Sequence, residues 1–449
     1  MRKLDFLTAL FLISVLTNAF NIQLTSANPE TIIVPDTYLS IQEAINHAKP
    51  GETIYVKAGV YFEHIVIGIN NLKIVGEDKS TTIIDGQRTG TVVYIKANNT
   101  VFGNFTIKNS GFNFTDSGIY IDHSLKANIS SNNILDSNLG IYLNDSSNIV
   151  LRNNNMSTNR YNFGVYGDNL EGYIQDIDAS NLVGGKPIIY WVNQTNKQPP
   201  TDAGYIAIVN STSITLRGLT LSRNWQAVLF AYSTNSNIRN VTGTRNMDCI
   251  WLLNCSGCSV MDSTISDNSW GGIALVDSSA CSVYGNNVTN NIGYGVFLSN
   301  ASDNLFYHNN FINNTQQVLL FGFNSNHWDC DYPSGGNFWS NHKGTDEKRG
   351  DSQNQTGSDG ICDTPFIIDP NNTDHYPLMT PWNCQSKSAT ADLILCITIG
   401  IIILLITSCI ILYLVKIRKQ LSSIQSLKLT TYKRDYFLFS LEKGEGVAE

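Results

Sequence analysis

The sequence predicts an all-β protein folded as a parallel β-helix, a solenoid of about ten to twelve coils with 22 or 23 residues each. Two observations carry this prediction. An apolar-x-apolar triplet, often followed by serine, recurs about every 22 residues through the middle of the chain. The chain also contains 52 asparagines, none after Asn383, which favour turns and strands over helices.

The repeated triplet defines the coils of residues 86–325. The intervals between successive triplets are 22 to 24 residues, except for an interval of 41 after Val165. One period plus an insertion near residues 182–204 accounts for the longer interval. Because stacked coils lie about 4.8 Å apart, asparagines at equivalent turns can form ladders of side-chain amides. The triplets lie at Ile119–Ile121, Ile141–Leu143, Val165–Gly167, Ile206–Ile208, Val228–Phe230, Ile250–Leu252, Ile273–Leu275, Val296–Leu298 and Val318–Leu320.

The segment before the repeats predicts a cap. Residues 40–43 form a capping box, and the apolar residues that follow lie on one helical face before Pro50 ends the helix. Open solenoid ends expose unpaired strand edges, so we expect this helix to cover the N-terminal end. Residues 28–85 are therefore assigned to the cap and the first coils, and residues 326–383 to a C-terminal cap module.

The two ends of the chain predict a membrane anchor. Residues 1–27 have the basic start, apolar stretch and small final residues of a secretory signal peptide. After a linker at residues 384–392, Leu393–Val415 is an uncharged stretch of 23 residues, long enough to span a bilayer, and basic residues follow it. The sequence thus predicts a single-pass type I protein of the cell membrane, with a cytoplasmic tail at residues 416–449.

Composition and sequons bear on the partners of the exterior region. The net charge of −8 makes nucleic acid an improbable partner. Asn-x-Ser/Thr triplets occur 15 times between Asn98 and Asn371, which fits a glycoprotein. A chain this rich in Asn, Ser and Thr also makes such triplets by chance, so both interpretations stay open.

Several segments resemble one family. The chain resembles secreted right-handed parallel β-helix proteins of the NosD type from archaeal cell surfaces, which are related in fold to pectin lyases. The resemblance covers about residues 31–382 and implies a right-handed β-helix, while the function stays open because one fold hosts many activities. It rests on residues 34–45, 59–61, 185–191, 202–205, 335–340 and 376–382.

The middle residue of each triplet is expected to point outward, because side chains alternate along a strand. Stacked coils would then form an exterior aromatic column on which sugar rings can stack. This predicts a protein that binds carbohydrate or other envelope components. The alternative is that aromatic residues simply favour exposed strands. The predicted substrate-binding residues are Tyr120, Tyr142, Tyr166, Trp251 and Phe297.

A second hypothesis is catalysis. Asp122, Asp145 and Asp168 are expected on successive coils with His123 beside them, and a glycoside hydrolase needs two carboxyl groups about 5 to 10 Å apart. A polysaccharide lyase is the related alternative. The chain lacks an Asp-Asp pair and a basic residue on these strands, and Asn144 heads a sequon, so binding is favoured over catalysis. A structural or adhesive rod without any site is the third hypothesis.

Metal binding is considered in the C-terminal cap module. Asp359 and Asp363 flank a loop whose oxygen-rich composition suits Ca²⁺, although an ordinary Asx-turn loop is the alternative. The NosD resemblance implies copper, but the chain offers only His327, Cys330 and His342 in place of a Met- or His-rich tract.

Cysteine spacing predicts two disulfides. Cys258 and Cys281 are 23 residues apart at equivalent repeat positions, which places them about one coil apart, within disulfide range. Cys330 and Cys362 are a second candidate pair, closing the terminal module. Stacked free thiols are the alternative for the first pair.

Overall fold

The computed structural model describes residues 31–383, which form a right-handed parallel β-solenoid of about 14 coils. The predicted fold class is confirmed, and the predicted number of ten to twelve coils was too low. Coils begin already at Thr31, and the segment assigned to an insertion contributes another strand.

Residues 31–183 form the part that we call the first solenoid, in which most coils contribute one strand to each of three sheets. Sheet A contains β1 (Thr31–Val34), β2 (Thr53–Val56), β5 (Lys73–Gly76), β8 (Val101–Gly103), β11 (Asn128–Ser130), β14 (Val150–Arg152) and β17 (Asp176–Ile177). Sheet B begins with β3 (Gly59–Tyr61), β6 (Thr82–Asp85), β9 (Thr106–Lys108), β12 (Asn133–Leu135), β15 (Asn155–Ser157) and β18 (Leu182–Val183). Sheet C contains β4 (Ile65–Ile67), β7 (Val93–Ile95), β10 (Ser117–Asp122), β13 (Leu139–Asn144) and β16 (Tyr161–Tyr166). A 3-10 helix, Leu170–Tyr173, follows β16.

Residues 186–327 form the second solenoid, in which sheet B continues and a ten-stranded sheet D lies opposite. Sheet B continues with β19 (Lys186–Val192), β20 (Tyr205–Val209), β22 (Gln226–Ala231), β24 (Asp248–Leu253), β27 (Gly271–Val276), β30 (Tyr294–Ser299) and β33 (Gln316–Phe321). Sheet D contains β23 (Asn237–Thr244), β25 (Ser259–Met261), β26 (Thr264–Ser266), β28 (Ser282–Tyr284), β29 (Asn287–Thr289), β31 (Ser302–Tyr307), β32 (Asn310–Ile312), β34 (Ser325–His327) and β35 (Phe338–Trp339). β21 (Thr215–Ser222) pairs with β23.

The chain reverses its direction between the two solenoids. β18 and β19 pair antiparallel, joined by Gly184 and Gly185 at φ values of 57° and 81°, which glycine adopts readily. β19 then pairs in parallel with β20, with Tyr190 opposite Ala207. The predicted insertion at residues 182–204 was therefore wrong, because its apolar residues form a strand of the solenoid and do not loop out of it.

The side of the second solenoid closes the C-terminal end of the first. Tyr190 and Ala207 point away from the second solenoid's core and belong to the core of the first. The Tyr190 hydroxyl donates a hydrogen bond to the Tyr173 carbonyl oxygen at 2.7 Å. The rings of Phe163 and Tyr205 pack edge to face with centroids 4.8 Å apart. Burial of apolar surface thus joins the two solenoids.

Trp225 fixes one edge of this junction. Its backbone N–H donates to the Phe163 carbonyl at 3.0 Å, and its ring stacks on Tyr142 with centroids 4.7 Å apart. The ring passes directly over Gly164, where an added Cβ would lie 2.5 Å from the Cβ of Trp225. Gly164 therefore permits the close approach of the two solenoids.

The outer ends are covered as well. Helix α1, Ile41–His47, begins at Ser40, whose side chain accepts the Glu43 N–H at 3.1 Å. Its buried residues are Ile41, Ala44 and Ile45, and they join the first core, so the predicted N-terminal lid is confirmed. At the other end, Trp328 and Trp339 are buried in the second core. The terminal module adds two hairpins, formed by β36 (Lys348–Arg349) with β37 (Gln355–Thr356) and β38 (Phe366–Asp369) with β39 (Asn372–Asp374).

Asparagine ladders run along both solenoids. In the longest ladder, each side-chain amide from Asn246 onward donates to the carbonyl oxygen of the next member at 2.8 to 3.2 Å. The members are buried, so each bond satisfies polar groups that water does not reach. The predicted ladders are confirmed, and they account for much of the asparagine surplus. The longest ladder consists of Asn224, Asn246, Asn268, Asn291 and Asn314.

The predicted signal peptide, linker, membrane-spanning segment and cytoplasmic tail lie outside the described residues. Between residues 31 and 383, no helix has the length and apolar character needed to cross a membrane.

Candidate functional site

Three successive strands of sheet C bring four predicted site residues to one place on the first solenoid. We call Asp122, His123, Asp145 and Asp168 the acidic cluster. Asp122 ends β10, and its register partner on β13 is Asn144. His123 and Asp145 follow these strands at φ values of 47° and 39°, the left-handed turn conformation that leads into the next side of the coil. The predicted juxtaposition of these residues is confirmed by the contacts they make.

His123 lies between two carboxylates. Its Nδ1 is 2.7 Å from Asp122 Oδ1, and its Nε2 is 3.5 Å from Asp145 Oδ2. Asp145 also accepts the backbone N–H of Asp168 at 3.3 Å. The imidazole is 65% exposed, whereas the carboxylates of Asp122 and Asp145 are 19% and 23% exposed. The cluster therefore presents one accessible ring held by two partly buried anions.

Two further side chains fix Asp122. The Tyr94 hydroxyl donates to Oδ2 at 2.5 Å, and the Asn144 amide donates to Oδ1 at 2.8 Å. Sequence reasoning missed Tyr94, although Val93-Tyr94-Ile95 is another apolar-x-apolar triplet in register with β10. Its distance of 26 residues from the next triplet exceeds the period of the later coils, because this coil is longer.

These contacts set the protonation of the cluster. Burial opposes ionisation of Asp122, but hydrogen bonds from Tyr94, Asn144 and His123 outweigh it and lower the pKa of this carboxyl. The hydrogen bond to Asp122 raises the pKa of His123, and Asp145 and Asp168 add attraction. The same carboxylate, through its hydrogen bond, raises the pKa of Tyr94 to about 12. Asp122 is thus an anion and Tyr94 a neutral phenol near neutral pH.

The predicted aromatic column is only partly formed. Tyr120 and Tyr142 are register partners, as expected, but the partner of Tyr142 on β16 is Gly164 and not Tyr166. The repeat in β16 is Phe163-Gly164-Val165, two residues earlier than the triplet predicted from the sequence. Tyr166 instead pairs with Asn144 and lies beside the acidic cluster, where its hydroxyl is hydrogen bonded to Asp168.

The column also cannot offer a flat platform to a sugar. The rings of Tyr94, Tyr120 and Tyr142 stack on each other, with successive centroids 5.2 and 5.4 Å apart, and Trp225 covers the last. Rings on adjacent coils are close enough to cover each other's faces, so only their edges remain accessible. Tyr142 is moreover buried, at 5% exposure. The prediction of stacked sugar rings on this column was wrong.

Trp251 and Phe297 stand two coils apart in the second solenoid. Their centroids are 6.5 Å apart across Ala274, and both rings are partly buried. Trp251 packs against the core of the first solenoid. The structure therefore places these two residues away from the acidic cluster, on the face that forms the junction.

The loop carboxylates of the terminal module are engaged by the protein itself. Asp359 accepts N–H groups of Gly350 and Ile361, and Asp363 accepts those of Glu347 and Lys348, at 3.0 to 3.2 Å. Among residues 31–383, no group of three or more His, Cys, Asp or Glu side chains is arranged to hold a metal ion. This arrangement corresponds to the loop-stabilising alternative and does not fit the calcium site proposed for Asp359 and Asp363.

The predicted disulfides are not formed. Cys258 and Cys281 do stand on one rung, next to the paired Ser259 and Ser282, but both are buried free thiols. The thiols contact backbone carbonyls of neighbouring coils, Cys258 that of Ser233 at 3.6 Å.

The second pair differs in environment. Cys330 is exposed, whereas Cys362 is buried with its sulfur 3.1 Å from that of Met379. Both are free thiols in the structure. Spacing along the chain identified neighbouring coils for the first pair but did not determine side-chain direction for either pair.

Comparison with known proteins identifies the family. A family model described as periplasmic copper-binding protein (NosD) matches residues 22–182 and 188–344, more than half of the chain. The chain belongs to the NosD family. The break between the two matches coincides with the reversal between the solenoids. Copper does not fit the predicted ligands, since His342 Nε2 already lies 3.0 Å from the Thr364 carbonyl and no three-residue metal cluster occurs in the described range.

Individual relatives are distant. The chain is 32% identical over 111 residues to "Probable pectinesterase/pectinesterase inhibitor 6" of Arabidopsis thaliana, over 22% of this chain and 19% of that protein. Among solved structures, the A-module of a mannuronan C-5 epimerase from Azotobacter vinelandii is 12% identical over 64% of this chain and 92% of its own, with a TM-score of 0.29. An alginate lyase from Paenibacillus is 13% identical over 68% and 96%, with a TM-score of 0.26. Similarities this low carry no argument about activity.

Proposed function

We propose that this NosD family member binds glycans or envelope components that contain glycan, using the acidic cluster of the first solenoid. The observation that supports the proposal is the position of His123, exposed to solvent and hydrogen bonded to one carboxylate with a second close by. Sugar hydroxyl groups both donate and accept hydrogen bonds, and charged partners make the stronger ones. Asp122, Asp145 and Asp168 supply acceptors, and the protonated imidazole supplies a donor.

The charge of the cluster selects the kind of glycan. Three carboxylates against one imidazolium leave a net negative surface, which repels saccharides that carry acidic groups. Neutral or amino-substituted sugars avoid this repulsion. We therefore expect the acidic cluster to bind a glycan without carboxylates or sulfates.

The protonation states favour binding over catalysis. A glycoside hydrolase needs a protonated carboxyl as its general acid, and the hydrogen bonds at Asp122 keep that carboxyl ionised. A lyase needs a base, and Tyr94, with a pKa raised to about 12, is a weak candidate near neutral pH. The hydrolase and lyase hypotheses therefore rank behind glycan binding.

A glycan array probed with the full-length protein tests the proposal. We expect binding to neutral or amino-substituted glycans, weakened about tenfold in Asp122→Asn because a charge-assisted hydrogen bond is lost. Asp303→Asn, an exposed carboxylate of the second solenoid, is the matched control and should bind like the wild type. Absence of binding across the array, or equal binding by Asp122→Asn, would contradict the proposal and favour a structural rod.

We further propose that the solenoids lie outside the cell membrane, as the signal peptide and the uncharged stretch Leu393–Val415 predict. The 15 sequons are in keeping with this placement. Protease protection tests it, since an antibody epitope fused after Glu449 should resist proteolysis of intact cells while the solenoids are cleaved from the surface. Cleavage of that epitope in intact cells would contradict the proposed orientation.

A further inference from the structure

The junction between the two solenoids contains a cleft distant in sequence from the acidic cluster. Its volume is about 110 Å³. The first solenoid contributes Phe112, Phe114, Asn138 and Arg160, and the second contributes Ser269 and Trp270. The cleft therefore exists only because the side of one solenoid packs on the end of the other.

Aromatic rings at this cleft are unusually exposed for their size. Phe112, Phe114 and Trp270 are 65%, 58% and 51% exposed. Phe114 and Trp270 meet edge to face with centroids 6.5 Å apart, so their faces are not stacked on each other as in the tyrosine column. Free aromatic faces in a cleft are surfaces on which the apolar face of a sugar ring can pack.

A buried polar atom in the cleft has no partner. Asn138 is 3% exposed, and its amide nitrogen donates to the Asn113 carbonyl at 2.8 Å. Its carbonyl oxygen Oδ1 is buried and accepts no hydrogen bond within the described part of the chain. An unsatisfied buried acceptor costs about 1 to 3 kcal/mol, so it marks a place for a hydroxyl or N–H donor.

Arg160 supplies the opposite requirement. Its guanidinium lies 5.1 Å from the centroid of the Tyr161 ring and forms no ion pair with any carboxylate of residues 31–383. A planar guanidinium without a carboxylate partner is suited to binding a ligand carboxylate through two parallel hydrogen bonds. The cleft thus combines aromatic faces, a free acceptor and a free cation.

We infer that this cleft is a second glycan site that binds a sugar residue carrying a carboxylate, such as a uronic acid. The carboxylate pairs with Arg160, a ring hydroxyl donates to Asn138 Oδ1, and the apolar face of the ring packs on Trp270. The site differs in charge from the acidic cluster and does not depend on the function proposed for that cluster.

Isothermal titration of the full-length protein with trigalacturonate, and with uncharged galactotriose for comparison, tests this inference. We expect binding of trigalacturonate, at least tenfold weaker binding of galactotriose, and at least tenfold loss of trigalacturonate affinity in Arg160→Gln. Trp270→Ala should lose about fivefold to tenfold through the missing ring contact. Because Arg160 and Trp270 are exposed, neither substitution threatens folding.

Two control variants distinguish binding in this cleft from binding elsewhere on the solenoids. Phe321→Ala removes a ring that is 69% exposed outside the cleft and should leave trigalacturonate binding unchanged, as should Asp122→Asn in the acidic cluster. Loss of binding in Asp122→Asn with retention in Arg160→Gln would overturn the inference, and so would absence of binding by the wild type. A glycan on Asn113 in the native protein, detected by peptide mass mapping, would also overturn it by placing the chain's own sugar at the cleft.

Discussion

The two solenoids share one repeat but use its outer face differently. In the first solenoid, the outer side of sheet C carries Tyr120 and leads to the exposed acidic cluster. In the second, the corresponding positions carry Ala207 and Leu229, which are completely buried against the end of the first solenoid. A position that points away from one core is therefore a surface position only if no other part of the chain packs on it.

The difference also affects which residues can meet a ligand. The first solenoid keeps its carboxylates and His123 at the surface, whereas the second buries Asp248 and four cysteines. The junction that hides the face of the second solenoid creates a cleft at its edge. Packing between the solenoids thus removes one predicted site and forms another.

The largest effect is expected from a charge placed at the junction. Ala207→Glu would bury an unpaired carboxylate in the core of the first solenoid and should lower the free energy of unfolding by about 4 kcal/mol. Val66→Glu is the control, because Val66 occupies the outward position of sheet C and is 39% exposed. Urea unfolding followed by circular dichroism measures both. A tolerated Ala207→Glu would show that this face of the second solenoid is free.

A smaller effect is expected from the buried carboxylate of the second solenoid. Burial raises the pKa of Asp248 to about 7, although the Tyr294 hydroxyl donates to it at 2.6 Å and opposes the shift. Between its unfolded pKa of about 4 and its folded pKa, the folded state holds a proton that the unfolded state releases, so stability falls as the pH rises. Above about pH 7 this loss is complete.

Asp248→Asn should therefore reduce the loss of unfolding free energy between about pH 5 and about pH 8 by about 2 to 3 kcal/mol. Some loss should remain, because burial also raises the pKa of Asp374 in the terminal module to about 7. Asp277→Asn, an exposed carboxylate of the same solenoid, should leave the pH dependence as in the wild type. An unchanged pH dependence in Asp248→Asn would show that this carboxylate is ionised in the fold.

The smallest effect concerns thiol reactivity, which should change no stability. Among the described cysteines, maleimide should label Cys330 rapidly in the native protein and the five buried cysteines only after unfolding. Burial raises the pKa of the Cys249 and Cys255 thiols, which keeps them protonated and unreactive. Mass spectrometry of proteolytic peptides assigns each label. Unlabelled Cys258 and Cys281 in the unfolded, unreduced protein would instead reveal the disulfide that their spacing suggested.

Local regularity made much of the fold predictable. The triplets and the asparagines recur once per coil, and stacking of identical coils turns that period directly into ladders, as at Asn246 and Asn268. The acidic cluster followed from the same logic, because neighbouring coils bring Asp122 and Asp145 to the same edge. Tyr166 was misplaced, because a slip of two residues keeps a side chain on the same side of the strand and leaves the alternation intact.

By itself, the sequence determined that coils of about 22 residues stack in parallel, that a short helix covers the first coil, and that Asp122, His123 and Asp145 gather at one edge. These features depend on contacts between neighbouring coils, which the repeat records. Only the tertiary structure decided that the chain reverses after Val183, that Ala207 and Leu229 are core residues, and that Trp270 faces Phe114 across a cleft. Those features arise from packing between surfaces far apart in the chain, and no periodic pattern of residues specifies such contacts.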